Sequence, residues 1–322
     1  MALLVTGAMG HVGYAVARHA AAQGLPVIAQ YLNTFDKAAA DRLGPNVTWA
    51  RCDLSDAFEL ATLALKYDID GCIHGAALPN DKTARPVPQR AFQSNIAAVQ
   101  HLLEIGRQSG WRRFVLVSSG AVFQRWTDTT KSIRETDPAS PVNVYGTTKH
   151  CAELLTSMYS EIYKLSAATV RVSWIYGPPL VPKQFDGPRG PIPDFLRRAL
   201  RGEAIDEPSG GEFAASFTHV DDCALGLLAV YRADKLGFSL YNLGSGENYT
   251  TARVADAVRA CVPNAKVRVG GGSKPWTDFT VLRGPLNCDR MREDVGFKPT
   301  MTLEQGVANF AEWMKKNPEV LC

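Results

Sequence analysis

Apolar residues along this chain switch between two periods. Ala2, Leu3, Leu4 and Val5 form a short continuous apolar run that reads as a buried strand ending at Thr6-Gly7. After glycines at 7, 10 and 13, Val12, Ala15, Val16, His19 and Ala20 fall on one face of a helix that stops at Gly24. The exchange then repeats. Residues 26–31 predict a second strand, 34–43 a helix, 47–51 a third strand, and Leu60, Leu63 and Ala64 mark the next helix. Residues 71–74 read as a fourth strand and 114–117 as a fifth. Between them, residues 88–108 carry Phe92, Ile96, Val99, Leu102, Leu103 and Ile105 at amphipathic helical spacing. A long helix over 143–163 and a sixth strand over 168–172 complete the series. Strands alternating with helices in this way predict an α/β chain.

The pattern loosens after residue 172. Six prolines (178, 179, 182, 188, 191 and 193) fall between Gly177 and Pro193, which predicts a loop-rich excursion. Beyond it the pattern predicts a helix at 194–201, a strand at 213–217, a helix at 221–231, a strand at 239–243, and helices at 251–261 and 303–315. These discontinuous pieces predict a second lobe that closes over the sheet edge and forms a substrate pocket. The expected division is 1–172 for the first domain, with strand 239–243 returning to it, and 173–322 mainly for the lobe. A chain of 322 residues, long for one core and short for three, suits that division.

Composition narrows the classes. Apolar content of 46% and charged content of 21% are ordinary for a globular protein, and a net charge of +3 is too small to imply a nucleic-acid or membrane surface. Arg197, Arg198 and Arg201 are expected on a solvated helix face. No signal-peptide pattern opens the chain and no apolar run is long enough to cross a bilayer, so a cytoplasmic protein is expected. Seven scattered cysteines without a C-x-x-C pair fit reduced thiols better than disulfides or a zinc site, and no metal is expected.

The candidate chemistry begins at the first turn. Strand, glycine turn and helix in that order suit a dinucleotide: the backbone bends sharply and approaches a pyrophosphate with no Cβ in the way, and the helix N-terminus offers free N–H groups. An acid for the adenosine ribose is usual at the end of the second strand, but this chain has Tyr31, Leu32 and Asn33. No arginine follows and only Lys37 is near, so the choice between NAD and NADP stays open with a lean to NAD. Asp53 ends the third strand, where it either accepts from an adenine amino group or caps a helix; Ser55 and Asp56 already supply a start signal for that helix. Gly75, Ala76 and Ala77 let a bulky cofactor pass close to the backbone. His74 reads as a packed strand histidine. Asn95, a mediocre helix former inside a long helix, points to a polar contact. The fifth strand delivers Ser118-Ser119-Gly120 to the carboxyl edge of the sheet, where ligands of such sheets collect. Tyr145 and Lys149, four residues apart, share a helix face. A free phenol titrates near ~10 and needs a nearby cation to act as a base at neutral pH. Lys149 supplies that cation, Ser119 holds the substrate oxygen, and Tyr145 takes or returns its proton.

These motifs together resemble the extended short-chain dehydrogenase/reductase family, also called the NAD-dependent epimerase/dehydratase family, over nearly the whole chain. TGAMGHVG is similar to its TGxxGxxG loop, Asp53 to its adenine-site aspartate, HGAA to its fourth-strand motif, and Asn95 to its helix asparagine. SSGAVF resembles the serine-bearing fifth strand, YGTTK the YxxxK pair, RVSWIYGP the sixth-strand motif, and HVDD and YNLGSG its later landmarks. The segments around YGTTK and RVSWIYG are similar to those of dTDP-4-dehydrorhamnose reductases. The resemblance implies a Rossmann-type doubly wound parallel sheet with a smaller, discontinuous C-terminal substrate lobe. It implies a catalytic Ser119, Tyr145 and Lys149, with Lys149 also on the nicotinamide ribose. Cofactor contacts would come from Gly7, Gly10, His11, Val12, Gly13, Tyr31, Asn33, Asp53, Leu54, Gly75, Ala76, Ala77, Asn95, Tyr145 and Lys149, and substrate contacts from Ser119, Trp174 and Arg283. It also implies a homodimer formed through a helix bundle.

Departures refine the expectation. Dehydratases of the family carry an Asp-Glu pair just after the catalytic serine or threonine, where this chain has Gly120 and Ala121, which argues against dehydration. Many nucleotide-sugar epimerases carry Asn at the position of Trp174 and Arg at that of Ala215. Ala215 weakens a diphosphate anchor and leans the reading toward a small sugar, sugar acid or polyol, unless Arg189, Arg197 or Arg283 replaces it. The first reading is an NAD(P)-dependent oxidoreductase acting on a hydroxyl or ketone of a carbohydrate-like molecule. The alternative is a sugar or nucleotide-sugar epimerase with the same triad. A non-catalytic nucleotide sensor is disfavoured by the intact Ser119, Tyr145 and Lys149.

Overall fold

Each strand and helix exchange of the first half adds a parallel strand to one sheet. The computed structural model describes residues 1–126, 128–180, 190–277 and 280–321. The chain runs through β1 (Ala2–Thr6), α1 (His11–Ala22), β2 (Val27–Tyr31), α2 (Lys37–Asp41), β3 (Val47–Arg51), α3 (Ala57–Lys66) and β4 (Ile69–His74). Next come α4 (Asp81–Ala84), α5 (Pro88–Phe92), a π-helical turn (Gln93–Ala97) and α6 (Ala98–Gln108), followed by β5 (Arg113–Ser119), α7 (Val144–Tyr163) and β6 (Ala167–Val172). The remainder holds β7 (Trp174–Tyr176), α8 (Pro191–Leu200), β8 (Ile205–Glu207), β9 (Ala214–Ala215), β10 (Phe217–His219), α9 (Val220–Arg232), β11 (Leu240–Leu243), β12 (Tyr249–Thr250), α10 (Thr251–Cys261), β13 (Val267–Val269), α11 (Asp289–Val295) and α12 (Leu303–Lys316).

The seven-stranded sheet has the order β11-β6-β5-β4-β1-β2-β3, with every pairing parallel. Strand addition reverses between β1 and β4, which opens a crevice at their carboxyl ends. The central strands β1 and β5 are buried on both faces, so they read as near-continuous apolar runs although their side chains alternate. Leu3, Val5, Val115 and Val117 pack into the layer of α1 and α9, whereas Leu4, Phe114 and Leu116 face α3, α6 and α7. Asp221 at the start of α9 accepts from Arg18 and from His19 Nε2 (2.9 Å), which ties the two helices of the first layer together.

Two expectations are corrected. The helix expected over 88–108 is interrupted by the π turn at Asn95, where the inserted residue lets the side chain leave the helical register and find partners elsewhere. The strand expected over 213–217 is split. Ala214–Ala215 pairs antiparallel with β12, and Phe217–His219 pairs parallel with β7, so the chain changes partner at Ser216.

A separate apolar cluster joins α8, α10 and α12 through Ile192, Phe195, Val254, Val258, Val307, Phe310 and Met314. Cys52, Cys72 and Cys223 are buried free thiols, and Cys151, Cys261 and Cys288 are half-buried free thiols; Cys322 lies outside the described residues. Among the described residues no helix is long and apolar enough to cross a membrane.

Candidate active site

The turn after β1 is built by backbone packing. Gly7 has φ +65°, and a Cβ there would lie 2.9 Å from the Ala76 backbone, while a Cβ on Gly13 would overlap the Gly7 carbonyl. The turn leads into α1 without a side-chain cap, and so leaves N-terminal N–H groups for an anion. Gln30, 2% exposed in an apolar strand, braces it: its Oε1 accepts from Gly7 N–H (2.9 Å) and its Nε2 donates to the Cys52 carbonyl (2.6 Å). Across the crevice, Thr6 Oγ1 lies 2.7 Å from His74 Nδ1 and accepts from the N–H groups of Gly75 (3.1 Å) and Ala76 (3.3 Å). Burial pulls His74 down to about 3, so it is a neutral packing residue. Gly75, Ala76 and Ala77 are half-buried along the crevice wall. His11, with Val12 half-buried beside it, places Nε2 2.7 Å from the Gly177 carbonyl and so links the turn to the segment after β7.

At the far end of the crevice, Asp53 Oδ1 accepts from Ser55 N–H (2.9 Å) and Oγ (2.7 Å), whereas Asp56 caps α3. Asp53 is therefore not the helix cap, and among the described residues its Oδ2 makes no hydrogen bond. Leu54 is buried, Asn33 is exposed, and Tyr31 forms an aromatic group with Phe35 (4.7 Å between centroids) and Trp49 (6.5 Å). Asn95, in the π turn, accepts from Leu78 N–H (2.8 Å) and donates to Thr148 Oγ1 (3.0 Å). The polar contact expected of it joins the loop after β4 to α7.

Tyr145 and Lys149 meet Ser119 because α7 starts against the end of β5. Asn143 caps α7 by accepting from Gly146 N–H (2.8 Å), and Asp81, 1% exposed, accepts from Tyr145 N–H at 3.4 Å. A Cβ on Gly146 would lie 2.6 Å from the Ala121 carbonyl, so only glycine lets the helix approach this closely. Lys149 is buried, donates to the Val117 carbonyl (2.8 Å), and holds Nζ 6.0 Å from the centre of the Tyr145 ring. Burial pushes the Tyr145 phenol up to about 12, against a hydrogen bond with Ser119 that pulls it down. Burial brings Lys149 down to about 8, opposed by the charge of Glu153. The lowering of the phenol expected from Lys149 is not found: the opposing influence is the Ser119 hydrogen bond, and burial outweighs it.

Arg283 is brought to the same place. A Cβ on Gly120 would lie 2.8 Å from its Nη2, so the guanidinium occupies the space that a side chain after Ser119 would fill. It faces no carboxylate among the described residues, and burial lowers it to about 10. Trp174 packs on Phe217 (5.5 Å between centroids), and its indole also blocks any Cβ on Gly190. Ala215 is half-buried in its pairing with Tyr249. Of the expected basic cluster, Arg198 pairs with Glu207 (2.8 Å) and Arg201 with Glu203 (2.8 Å), while Arg197 lies on the same helix; Arg189 lies outside the described residues. Sequence reasoning missed Thr6, Gln30 and Asp81. Gln30 left a signal, a lone polar residue in an otherwise apolar strand.

Residues 3–244 match the model of the NAD dependent epimerase/dehydratase family. The chain is 25% identical over 333 residues to a UDP-glucuronate 4-epimerase of Thermodesulfobacterium geofontis, covering 99% of this chain and 97% of that protein. Its fold is similar to that of UDP-glucose 4-epimerase from Thermotoga maritima, solved with UDP-glucose (TM-score 0.87, 22% identity, 99% and 100% of the two chains). It is also similar to UDP-glucose 4-epimerase from Bifidobacterium longum, solved with NAD+ and UDP (TM-score 0.86, 22% identity, 99% and 100%).

Proposed function

The chain belongs to the NAD dependent epimerase/dehydratase family, and from that premise we propose that it binds NAD in the crevice between β1 and β4 and interconverts a carbohydrate alcohol and ketone. The observation that carries the reading is the convergence of Ser119, Tyr145 and Lys149 at the carboxyl end of β5, beside a glycine turn that a Cβ would fill. In this reading the α1 N-terminus and Gly10 receive the pyrophosphate, Asp53 Oδ2 the adenine amino group, and Lys149 the nicotinamide ribose. NAD, when bound, supplies the hydride acceptor and a positive ring charge that favours the phenolate.

The protein's own residues handle the proton. Ser119 Oγ fixes the substrate oxygen, and Tyr145 Oη takes the hydroxyl proton as the C–H bond breaks and the carbonyl forms. In the return direction the same oxygen gives the proton back. Burial keeps the phenol protonated in the free enzyme, so the proton for that direction is already in place. Gly120 and Ala121 offer no acid to eject water, which supports oxidoreduction or epimerisation over dehydration.

For the substrate we propose a nucleotide sugar, which the enzyme epimerises. The guanidinium of Arg283, which faces no carboxylate among the described residues, supports an anion beside Ser119 in spite of Ala215. A second reading, net dehydrogenation of a free sugar or sugar acid, is favoured by Ala215 itself. The test is purified protein with NAD or NADP, screened against UDP- and dTDP-sugars, free sugars and sugar acids. Both absorbance of reduced cofactor and isomer formation are recorded. Isomers without net reduction support the first reading, net reduction the second, and neither from any substrate defeats both.

The same membership leads us to propose a cytoplasmic homodimer. Leu154 (58%), Ile162 (65%) and Tyr163 (49%) are exposed on α7, beside α6, and would be covered by the same helices of a second copy. Light scattering on the eluted protein checks the mass.

A further inference from the structure

Glu153 stands one helical turn beyond Lys149 on α7 and is 6% exposed, yet the proton path described above gives it no task. Its carboxylate is fully engaged. Oε1 accepts from Ser118 Oγ (2.6 Å) and from Arg171 Nε (2.9 Å), and Oε2 accepts from Arg171 Nη2 (2.7 Å). His150 Nδ1 lies 3.3 Å from Oε2. Arg171 comes from β6, where the sheet register sets it opposite Ser118, and the ring of Phe123 lies 4.7 Å from its guanidinium. Three successive residues of β5 are thereby committed to α7 or to the reaction: Val117 through Lys149, Ser118 through Glu153, and Ser119 at the substrate.

We propose that Glu153 is a positioning residue of the catalytic centre: gripped by Arg171 and Ser118, it locks the turn of α7 that bears Lys149 onto the end of β5 and sets a buried negative charge against the Lys149 ammonium. Stability alone does not account for such a pair, because a buried ion pair is often matched or surpassed by apolar residues of similar volume. Position does account for it. A slip of α7 along β5 would break the Lys149 and Glu153 bonds together. The titratable groups that face Lys149 among the described residues are Tyr145 and Glu153 from its own helix and His74 from β4, with Arg171 from β6 and His150 bound to Glu153 behind it, and of these Glu153 alone is a carboxylate. Burial disfavours the Glu153 carboxylate, but its hydrogen bonds to Arg171, His150 and Ser118 hold it ionised below the usual range.

The inference rests on the role given to Lys149 in the proposed function, so the test reads Lys149 without any substrate. Protein carrying 13Cε-lysine is titrated by NMR, the Lys149 resonance being assigned by its loss in Lys149→Met. Glu153→Gln keeps the shape and removes the charge, and the Lys149 midpoint should fall by about one unit. General loosening would expose the lysine and move the midpoint the other way, toward the ordinary ~10.4. Glu153→Asp, which keeps the charge, should stay within a few tenths of the parent. A midpoint that is unchanged or raised in Glu153→Gln overturns the proposal. Should that variant fail to fold, Glu153→Met/Arg171→Met removes the pair as a unit. A smaller fall is expected there, because the Arg171 charge leaves with that of Glu153, and a midpoint that does not fall is equally fatal. Because the titration needs no turnover, a protein inactive on every sugar would count against the proposed reaction and leave this result standing.

Discussion

A methyl group at residue 120 is the smallest change that reaches the space beside the catalytic serine. In Gly120→Ala the new Cβ would sit 2.8 Å from Arg283 Nη2, 3.5 Å from its Cζ and 3.7 Å from Leu286 Cδ1. The close neighbour is the far end of a flexible side chain, and Gly120 is not among the positive-φ glycines, so alanine suits the backbone. Alanine also restricts the unfolded chain by ~0.4–1 kcal/mol, which offsets the cost of moving the arginine, so melting should change by only a few degrees. Function should not be spared. The guanidinium must retreat by several tenths of an ångström, enough to spoil a hydrogen bond to an anion. A charge-assisted hydrogen bond contributes ~1.5–3 kcal/mol, so affinity for UDP, or KM for a UDP-sugar, should weaken ~10–150-fold. Turnover at saturation and NAD affinity should stay close to the parent values. Calorimetry with UDP and with NAD, beside the shift in melting temperature caused by each, separates the two effects. Arg283→Met sets the ceiling for the loss. If Gly120→Ala binds UDP as the parent does while Arg283→Met does not, the contact has been misjudged; if both bind normally, Arg283 is not the anchor.

Tyr145→Phe should lower kcat by ~10²–10⁴-fold while NAD affinity stays within about twofold, because the ring still packs and only the ionisable oxygen is lost; near-normal turnover removes the mechanism. Lys149 is charged below its midpoint of about 8, so in the free enzyme kcat/KM should fall as pH rises through that value, and a flat profile from pH 7 to about 9 would contradict it. NAD should bind modestly better than NADP, since near the end of β2 Lys37 is paired with Asp41 and Arg51, opposite Tyr31, with Glu59; a preference for NADP beyond about a hundredfold, ~2.7 kcal/mol, would mean that a cation reaches the ribose from elsewhere.

Much of this protein is local in origin. The doubly wound half was legible because a strand or helix declares itself within a few residues: the apolar run before Gly7, the three-and-four spacing after Gly13, the Tyr145 and Lys149 pair one turn apart. Glycines 7 and 13 could be singled out from the sequence because a turn that tight is tolerated by little else. Other features depend on residues that are neighbours only once the sheet has closed. Gln30 braces the glycine turn because β2 lies beside β1. Glu153, Arg171 and Ser118 come from a helix and two strands that the sheet register aligns, and no spacing along the chain links them. The partner change at Ser216 was invisible for the same reason, since a strand's partner is set by topology and not by its own composition. So was the meeting of Arg283 with Gly120, in which a glycine leaves the space, a distant arginine fills it, and the two say more about the substrate than either position does alone. Periodicity propagates along a chain, whereas cross-chain packing, with the burial that raises the Tyr145 phenol and lowers Lys149, exists only in the folded state.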